Sequence, residues 1–288
     1  MRGVRWLFGC LVLLGTIVLA GCDQQSKAIV LSQDELERLE RKAIDFLRNE
    51  GCKLEEIEDE IINSRGILVR IFPEHLTETG TIRAELVREI RDLRKCFLIL
   101  DGTPISPSGL AELKSLGNLL LLSAQQTPIN DEGLRQIEGI VSLRLLRLNW
   151  TRVGDASLQH INRLPELKML YLSGTKVTDR GLDHLVILKK LQALQLAETK
   201  LTDRGARQLS EFSDLMFLSL RGTDITDDTV AVLAKLKKLR HVDITDTRIS
   251  LEGLKSLQDA LPECNIRREL TFRLPPVAGP AIGPMPAP

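Results

Sequence analysis

Tyr171 to Leu194 reads YLSGTKVTDRGLDHLVILKKLQAL, and the same pattern recurs at a fixed step on both sides of it. Thr103, Thr127, Thr151, Thr175, Thr199, Thr223 and Thr247 stand 24 residues apart. A period in this range is the signature of a solenoid, in which each copy buries its apolar face against its neighbours. Counting from Thr175, apolar residues fall at Val177, Leu182, Leu185, Leu188, Leu191, Leu194 and Leu196. The next copy keeps the frame with Leu201, Leu209, Phe212, Leu215, Leu218 and Leu220. Leu194 and Leu196 are two apart, which puts both on one face of a short strand. Leu182 and Leu185 are three apart, which suits one side of a short helix. Each copy is therefore predicted to run strand, turn, helix, return. One buried leucine contributes about 1.5–3 kcal/mol, but a single copy has nothing to bury against.

Four places after most of these threonines comes an aspartate: Asp131, Asp155, Asp179, Asp203 and Asp227. Each is expected to cap its own helix, accepting from free backbone N–H groups at the positive end of the helix dipole. A calcium column is the weaker reading, because calcium needs several oxygens converging on one point. Gly133, Gly181, Gly205 and Gly253 follow two places later.

The segment LKMLYLSGTKV, Leu167 to Val177, matches the core L-x-x-L-x-L-x-x-N/C-x-L of the leucine-rich repeat family, and the resemblance extends over about Phe97 to Ile266. The TDxGL run is similar to that of bacterial members, particularly short-repeat lipoproteins and secreted proteins. The resemblance implies an α/β solenoid, with a parallel sheet on the concave side and short helices on the convex side. Threonine occupies the column where many relatives carry asparagine. Because a hydroxyl offers one donor where an amide offers two, a simpler internal hydrogen-bond ladder is expected. Pro107 and Leu251 replace the aspartate in the first and last copies, as befits capping repeats.

The flanks divide the chain further. Arg2 and Arg5 precede an apolar stretch from Trp6 to Ala20, too short for a comfortable membrane span and suited to an export leader. Leu19-Ala20-Gly21-Cys22 resembles a bacterial lipobox, which implies cleavage before Cys22 and a diacylglyceryl group on its thiol. More than one acyl chain gives stable anchoring. The expected organisation is a leader over 1–21, a lipidated tether over 22–31, an α+β cap over 32–95, the solenoid over 96–270 and a Pro/Gly/Ala-rich disordered tail over 271–288. Within the cap, Ser32-Gln33-Asp34-Glu35 is a capping box opening a helix to about Asn49. Acidic Glu55 to Glu60 is expected to be a solvated face, Gly66 to Phe72 a strand, and Ile82 to Leu93 an amphipathic helix. Leu261 to Ile266 should close the far end with a last irregular strand.

Removing Arg2 and Arg5 with the leader leaves 37 basic residues against 39 acidic. With no basic surplus to collect phosphates, a nucleic-acid partner is not expected. Cys52, Cys96 and Cys264 remain beside Cys22, too few for a disulfide framework. Cys52 and Cys96 could bridge the cap to the first strand, although buried free thiols are favoured. The sequence holds no G-x-S-x-G, H-E-x-x-H, CxxC or phosphate-binding loop. His160 and His184 share a column without a third ligand beside them (Gln208 holds the next place), and are expected on the exposed outer face. His75 falls in the cap and His241 on the sheet. No catalytic residue, cofactor or metal is expected.

Seven stacked strands at about 4.8 Å per step span roughly 30 Å. Their face turned away from the core is the candidate site. One column of it holds Phe97, Leu121, Leu145, Met169, Ala193, Phe217 and His241; the next holds Ile99, Ser123, Arg147, Tyr171, Gln195, Ser219 and Asp243. With Trp150 at a strand end, the expected contact residues are Phe97, Ile99, Leu121, Leu145, Arg147, Trp150, Met169, Tyr171, Gln195, Phe217, His241 and Asp243. An apolar stripe edged by polar groups suits a protein partner, and Arg, Tyr and Trp dominate interface energetics. The expected protein is a monomeric, lipid-anchored interaction module of the bacterial cell envelope that holds a protein or a surface polymer. The alternative is a structural envelope component without a discrete ligand; an enzyme is a distant third.

Overall fold

The computed structural model describes residues 17–19, 29–59 and 64–268. Most of the leader, Cys22 and the 271–288 tail lie outside the described residues. Ile17–Leu19 (β1) pairs antiparallel with Ile29–Leu31 (β2). The remaining strands form one ten-stranded sheet in chain order, an open α/β leucine-rich repeat solenoid.

The cap comes first. Ser32 Oγ accepts from Glu35 N and the Glu35 carboxylate accepts from Ser32 N, so the capping box opens helix α1 (Gln33–Asn49). Two strands follow, β3 (Lys53–Asp59) and β4 (Ser64–Arg70), paired antiparallel. The acidic run is solvated as expected at Glu55, Glu56 and Glu58, but it is also strand, and Leu54 and Ile57 within it turn toward apolar neighbours. Helix α2 (Ala84–Asp92) buries Leu86, Val87 and Ile90. His75 is fully enclosed. Its Nδ1 accepts from Phe72 N at 2.9 Å, which leaves Nε2–H to donate to Glu50 O at 3.0 Å.

From β4 onward every pairing is parallel. The strands are β5 (Cys96–Ile99), β6 (Leu119–Ser123), β7 (Leu145–Arg147), β8 (Met169–Tyr171), β9 (Ala193–Gln195), β10 (Phe217–Ser219), β11 (His241–Asp243) and β12 (Asn265–Arg267). From β6 to β11 the registry is strict: Leu121, Leu145, Met169, Ala193, Phe217 and His241 lie side by side. Helices α3 (Pro107–Glu112), α4 (Asp131–Gln136), α5 (Asp155–Ile161), α6 (Asp179–Leu185) and α7 (Asp203–Ala206) stack in the same order. A last helix, α9 (Leu251–Ala260), follows the shorter α8 (Val230–Leu233). One continuous core threads the stack from Ala43 to Leu261. Each copy supplies a full set; in the Thr175 copy Leu170, Leu172, Val177, Leu182, Leu185 and Leu191 are all sealed from water.

Two columns work differently from the sequence expectation. Each threonine closes a turn within its own coil: Thr175 Oγ1 donates to Leu172 O at 2.6 Å, and all seven make the same bond to the residue three places earlier. The threonines therefore form no ladder between coils. The residue before each threonine has positive φ, at Gly102, Gln126, Trp150, Gly174, Glu198, Gly222 and Asp246.

The aspartates do not cap their own helices. Asn130, Gly154, Thr178, Thr202 and Thr226, each one place earlier, hold the cap position, and the aspartate is the first helical residue; in the last copy Ser250 caps a helix that begins at Leu251. The aspartate carboxylate reaches instead to the next coil. Asp155 accepts from Thr178 N and Oγ1 at 2.7 and 2.6 Å, Asp179 from Thr202 at 2.8 and 2.7 Å, and Asp227 from Ser250 at 2.8 and 2.7 Å. The capping hydroxyl thus donates to the carboxylate behind it and accepts from its own helix, as Thr178 does from Arg180 N. The glycine column makes room for this staple. A Cβ on Gly181 would lie 2.6 Å from Asp155 Oδ1, and one on Gly205 2.5 Å from Asp179 Oδ1. Where the column carries a side chain it is a hydroxyl: Ser157 donates to Asp131 and Thr229 to Asp203.

Candidate functional site

The inner face of the sheet, turned away from the helices, changes character along its length. In its first column Phe97 is wholly enclosed, and Leu121, Leu145, Met169 and Ala193 are at most 6% exposed. Ile99 is 4% exposed in the second column. These residues and Leu68 form a second apolar cluster with Ile57, Tyr171 and Phe217 packed around it. The expectation that the whole stripe faces outward therefore does not hold for Phe97, Ile99, Leu121, Leu145 and Met169. The β3–β4 hairpin explains the difference. Its strands are seven residues long against three to five in the solenoid. Ile57 comes from the hairpin, and Arg144 Nη1 just before β7 donates to Ser64 Oγ at 3.3 Å.

Arg147 and Tyr171 are in contact, the guanidinium carbon 5.3 Å from the ring centroid, within reach of a cation–π attraction. Burial pushes the Tyr171 hydroxyl above its ordinary pKa; Arg147 pulls it down and Asp59 raises it further. Trp150 stands apart from this pair. It is 51% exposed at the turn beyond β7, with φ +61°, and its ring lies over Gly174, where a side chain would collide with it.

A polar ladder that the sequence reading missed runs beside these turns. Asp101 accepts from Ser123 Oγ at 2.6 Å and from Gln125 N and Nε2 at 2.9 and 3.1 Å. Gln125 Oε1 accepts from Asn149 Nδ2 at 2.8 Å, and Asn149 Oδ1 accepts from Ser173 N at 2.8 Å. The signal was legible as unlike polar residues two places before consecutive threonines.

Past Ala193 the face opens. Tyr171, Gln195, Phe217, His241, Asp243 and Asn265 line a groove of about 740 Å³. The Phe217 and His241 rings stack with centroids 5.0 Å apart and planes 8° apart. Of the expected contact residues, the structure brings Tyr171, Gln195, Phe217, His241 and Asp243 together in this groove. Its lining is aromatic and imidazole at the floor, with the amide of Gln195, the carboxylate of Asp243 and the guanidinium groups of Arg267 and Arg268 around it.

On the outer face His160 Nδ1 lies 2.8 Å from Glu138 Oε2, so it is half-buried and partnered, whereas His184 is exposed. Among the described residues no three of His, Cys, Asp and Glu gather to hold a metal ion. Cys52, Cys96 and Cys264 are free thiols. Among the described residues no helix is long and apolar enough to cross a membrane.

A leucine-rich repeat family model matches residues 235–257. No curated protein matches the chain. Among solved structures, internalin C2 of Listeria monocytogenes is similar at 23% identity, covering 70% of this chain and 80% of its own, with a TM-score of 0.54. A leucine-rich repeat protein of Leptospira interrogans is similar at 25% identity over 62% of this chain and 45% of its own, with a TM-score of 0.48. The seven-fold repeat, the strict parallel registry, the family match and the likeness to internalin C2 agree on one conclusion: the protein has the fold of a leucine-rich repeat solenoid.

Proposed function

We propose that the protein is a non-enzymatic interaction module that holds an extended segment of a partner protein in the groove at the C-terminal end of its inner face. The supporting observation is the change along one column, from sealed Phe97–Ala193 to the open, stacked pair Phe217 and His241. An aromatic floor edged by Gln195 and Asp243 offers apolar area with polar groups that fix orientation. The sealed stretch serves as a rigid base for the open one. In the same reading the chain is lipid-anchored through Cys22 in the bacterial cell envelope, supported by Leu19-Ala20-Gly21-Cys22 behind the apolar leader.

A photo-activatable residue at His241, compared with one at exposed Arg180 on the helical side, tests the site in intact cells. A discrete adduct from position 241 that is absent from 180 and lost with Phe217→Asp supports the reading; equal labelling from both positions refutes it. Metabolic labelling with a fatty acid tests the anchor: incorporation abolished by Cys22→Ser is expected, and labelling that survives it overturns the assignment.

A further inference from the structure

The groove lies at the end of the solenoid from which the chain leaves. Arg268, the last described residue, lines it together with Arg267 and Asn265 of β12. The segment that follows reads ELTFRLPPVAGPAIGPMPAP, residues 269–288; from Leu274 onward it carries six prolines and no charge. We propose that this segment folds back into the groove as a polyproline II strand and occupies the site that a partner would use. The inference rests on the groove being a binding site, as proposed above.

Four observations carry it. The first is chemistry: proline-rich chains dock on aromatic-lined grooves because their extended form is preset and loses little entropy on binding. Tyr171, Phe217 and His241 supply such a floor. The second is pitch. A polyproline II chain advances about 9.3 Å per three-residue turn, and alternate strands of a sheet are about 9.6 Å apart. A chain laid across β12 toward β8 can therefore set one residue of each turn against every second strand. The third is length. Five strands span about 19 Å, whereas the fifteen residues 274–288 extend to about 46 Å in this conformation. Glu269 to Arg273 supply the residues needed to reverse direction, since a tight turn needs about four. The fourth is the boundary at Ala193. This small side chain, 2% exposed, sits between Met169 and Phe217 in the same column and lines the groove, so it marks where the open floor meets the sealed stretch.

The test is a titration of fluorescently labelled peptide 269–288 into the full chain and into a variant stopped after Arg268. Saturable binding to the stopped variant, at least tenfold weaker in the full chain where the tethered copy already occupies the site, is expected. Phe217→Ser in the stopped variant should weaken binding at least tenfold while circular dichroism stays unchanged. Equal affinity for both chains, or no binding to a folded stopped variant, overturns the proposal. The full chain gives an independent reading: trypsin should cleave after Arg273 several-fold faster in Phe217→Ser than in the unaltered protein, and an equal rate overturns it. A dimer that disappears when the chain stops at Arg268 would place the segment in a second copy and also overturn it. Photo-adducts from position 241 separate the two readings. If the stopped variant still yields the discrete adduct but ignores the peptide, only the tail proposal fails; if it yields neither, the groove itself fails.

Discussion

Asp203→Ala is the sharpest test of how the coils are fastened. The Asp203 carboxylate accepts from Thr226 N and Oγ1, both at 2.8 Å, and from Thr229 Oγ1. Thr229 is fully buried, so its hydroxyl has no water to fall back on. A hydrogen bond to a charged group contributes about 1.5–3 kcal/mol, and a buried group left unpaired costs about 1–3 kcal/mol. Thr226 is partly solvated and recovers some of its loss, so the substitution is expected to cost about 3 kcal/mol. Asp214→Ala, which removes only the exposed pair with Lys238, should cost less than about 1 kcal/mol. Denaturant unfolding followed by circular dichroism measures both. A double-mutant cycle with Thr229→Val should return about 1–2 kcal/mol of coupling between the two sites. Burial pushes the Asp203 carboxyl up, but the bonds from Thr229 and Thr226 outweigh it and hold the pKa below its usual value of 3.8. A folded pKa below the unfolded one stabilises the native state above that unfolded value, and the contribution disappears as pH falls through the folded one. The stability gap between the unaltered protein and Asp203→Ala should therefore narrow below about pH 4. If Asp203→Ala costs no more than Asp214→Ala, the staple is not holding the coils together and the reasoning is wrong.

The other expectations are read by similar means. Gly205→Ala would place Cβ 2.7 Å from the Asp179 backbone; a loss of about 1–3 kcal/mol is expected despite alanine's higher helix propensity, whereas Gly117→Ala, with open space around it, should be neutral or slightly stabilising. Phe97→Ala should cost about 3–5 kcal/mol as a core truncation, while Phe217→Ala leaves the unfolding midpoint close to that of the unaltered protein and weakens only the groove. Gly174→Ala should displace the Trp150 ring and shift its emission spectrum, which near-unchanged fluorescence would contradict. Burial raises the Cys52 thiol to about 11 and pushes Cys96 higher, so near pH 8 a thiol reagent should modify half-buried Cys264 first and reach Cys52 and Cys96 only on unfolding.

The repeat made the solenoid legible because a 24-residue period constrains every coil at once: Leu170, Leu194 and Leu218 had to share a core whatever else the chain did. The aspartate staple was only half legible. Asp179 stands beside Thr178 in sequence, so a local cap was the nearer partner, yet the bond it makes is to Thr202, one coil further on. Periodicity gives the spacing of such a column but not whether its bonds run within a coil or between coils. Gly205 was the clue, because a residue that must be small to clear Asp179 implies that the carboxylate of one coil enters the next.

The inner face shows where repeat logic stops. Phe97, Leu145 and Phe217 occupy equivalent positions in equivalent strands, and nothing internal to a copy distinguishes them. Their different exposure comes from outside the repeat, from β3 and β4; the acidic sequence of β3 gave no sign of an apolar contact. Lys53–Asp59 places Glu55 and Ile57 on the inner side opposite Leu68 and Gly66, so a chain rich in carboxylates still delivers Ile57 to an apolar cluster. Carboxylates at the hairpin's margin tolerate this because they remain solvated or paired, as Glu56 is with Arg65 at 2.7 Å. A column of identical slots thus becomes a graded surface once a non-repeating element covers one end. The same argument makes a prediction about Ile57→Asp: the unfolding midpoint should fall modestly, since Ile57 is only partly buried, and Leu121 and Leu145 should become accessible to a hydrophobic dye such as ANS. If dye binding stays at the level of the unaltered protein while the hairpin is demonstrably loosened by hydrogen exchange, the hairpin does not keep that end of the face closed.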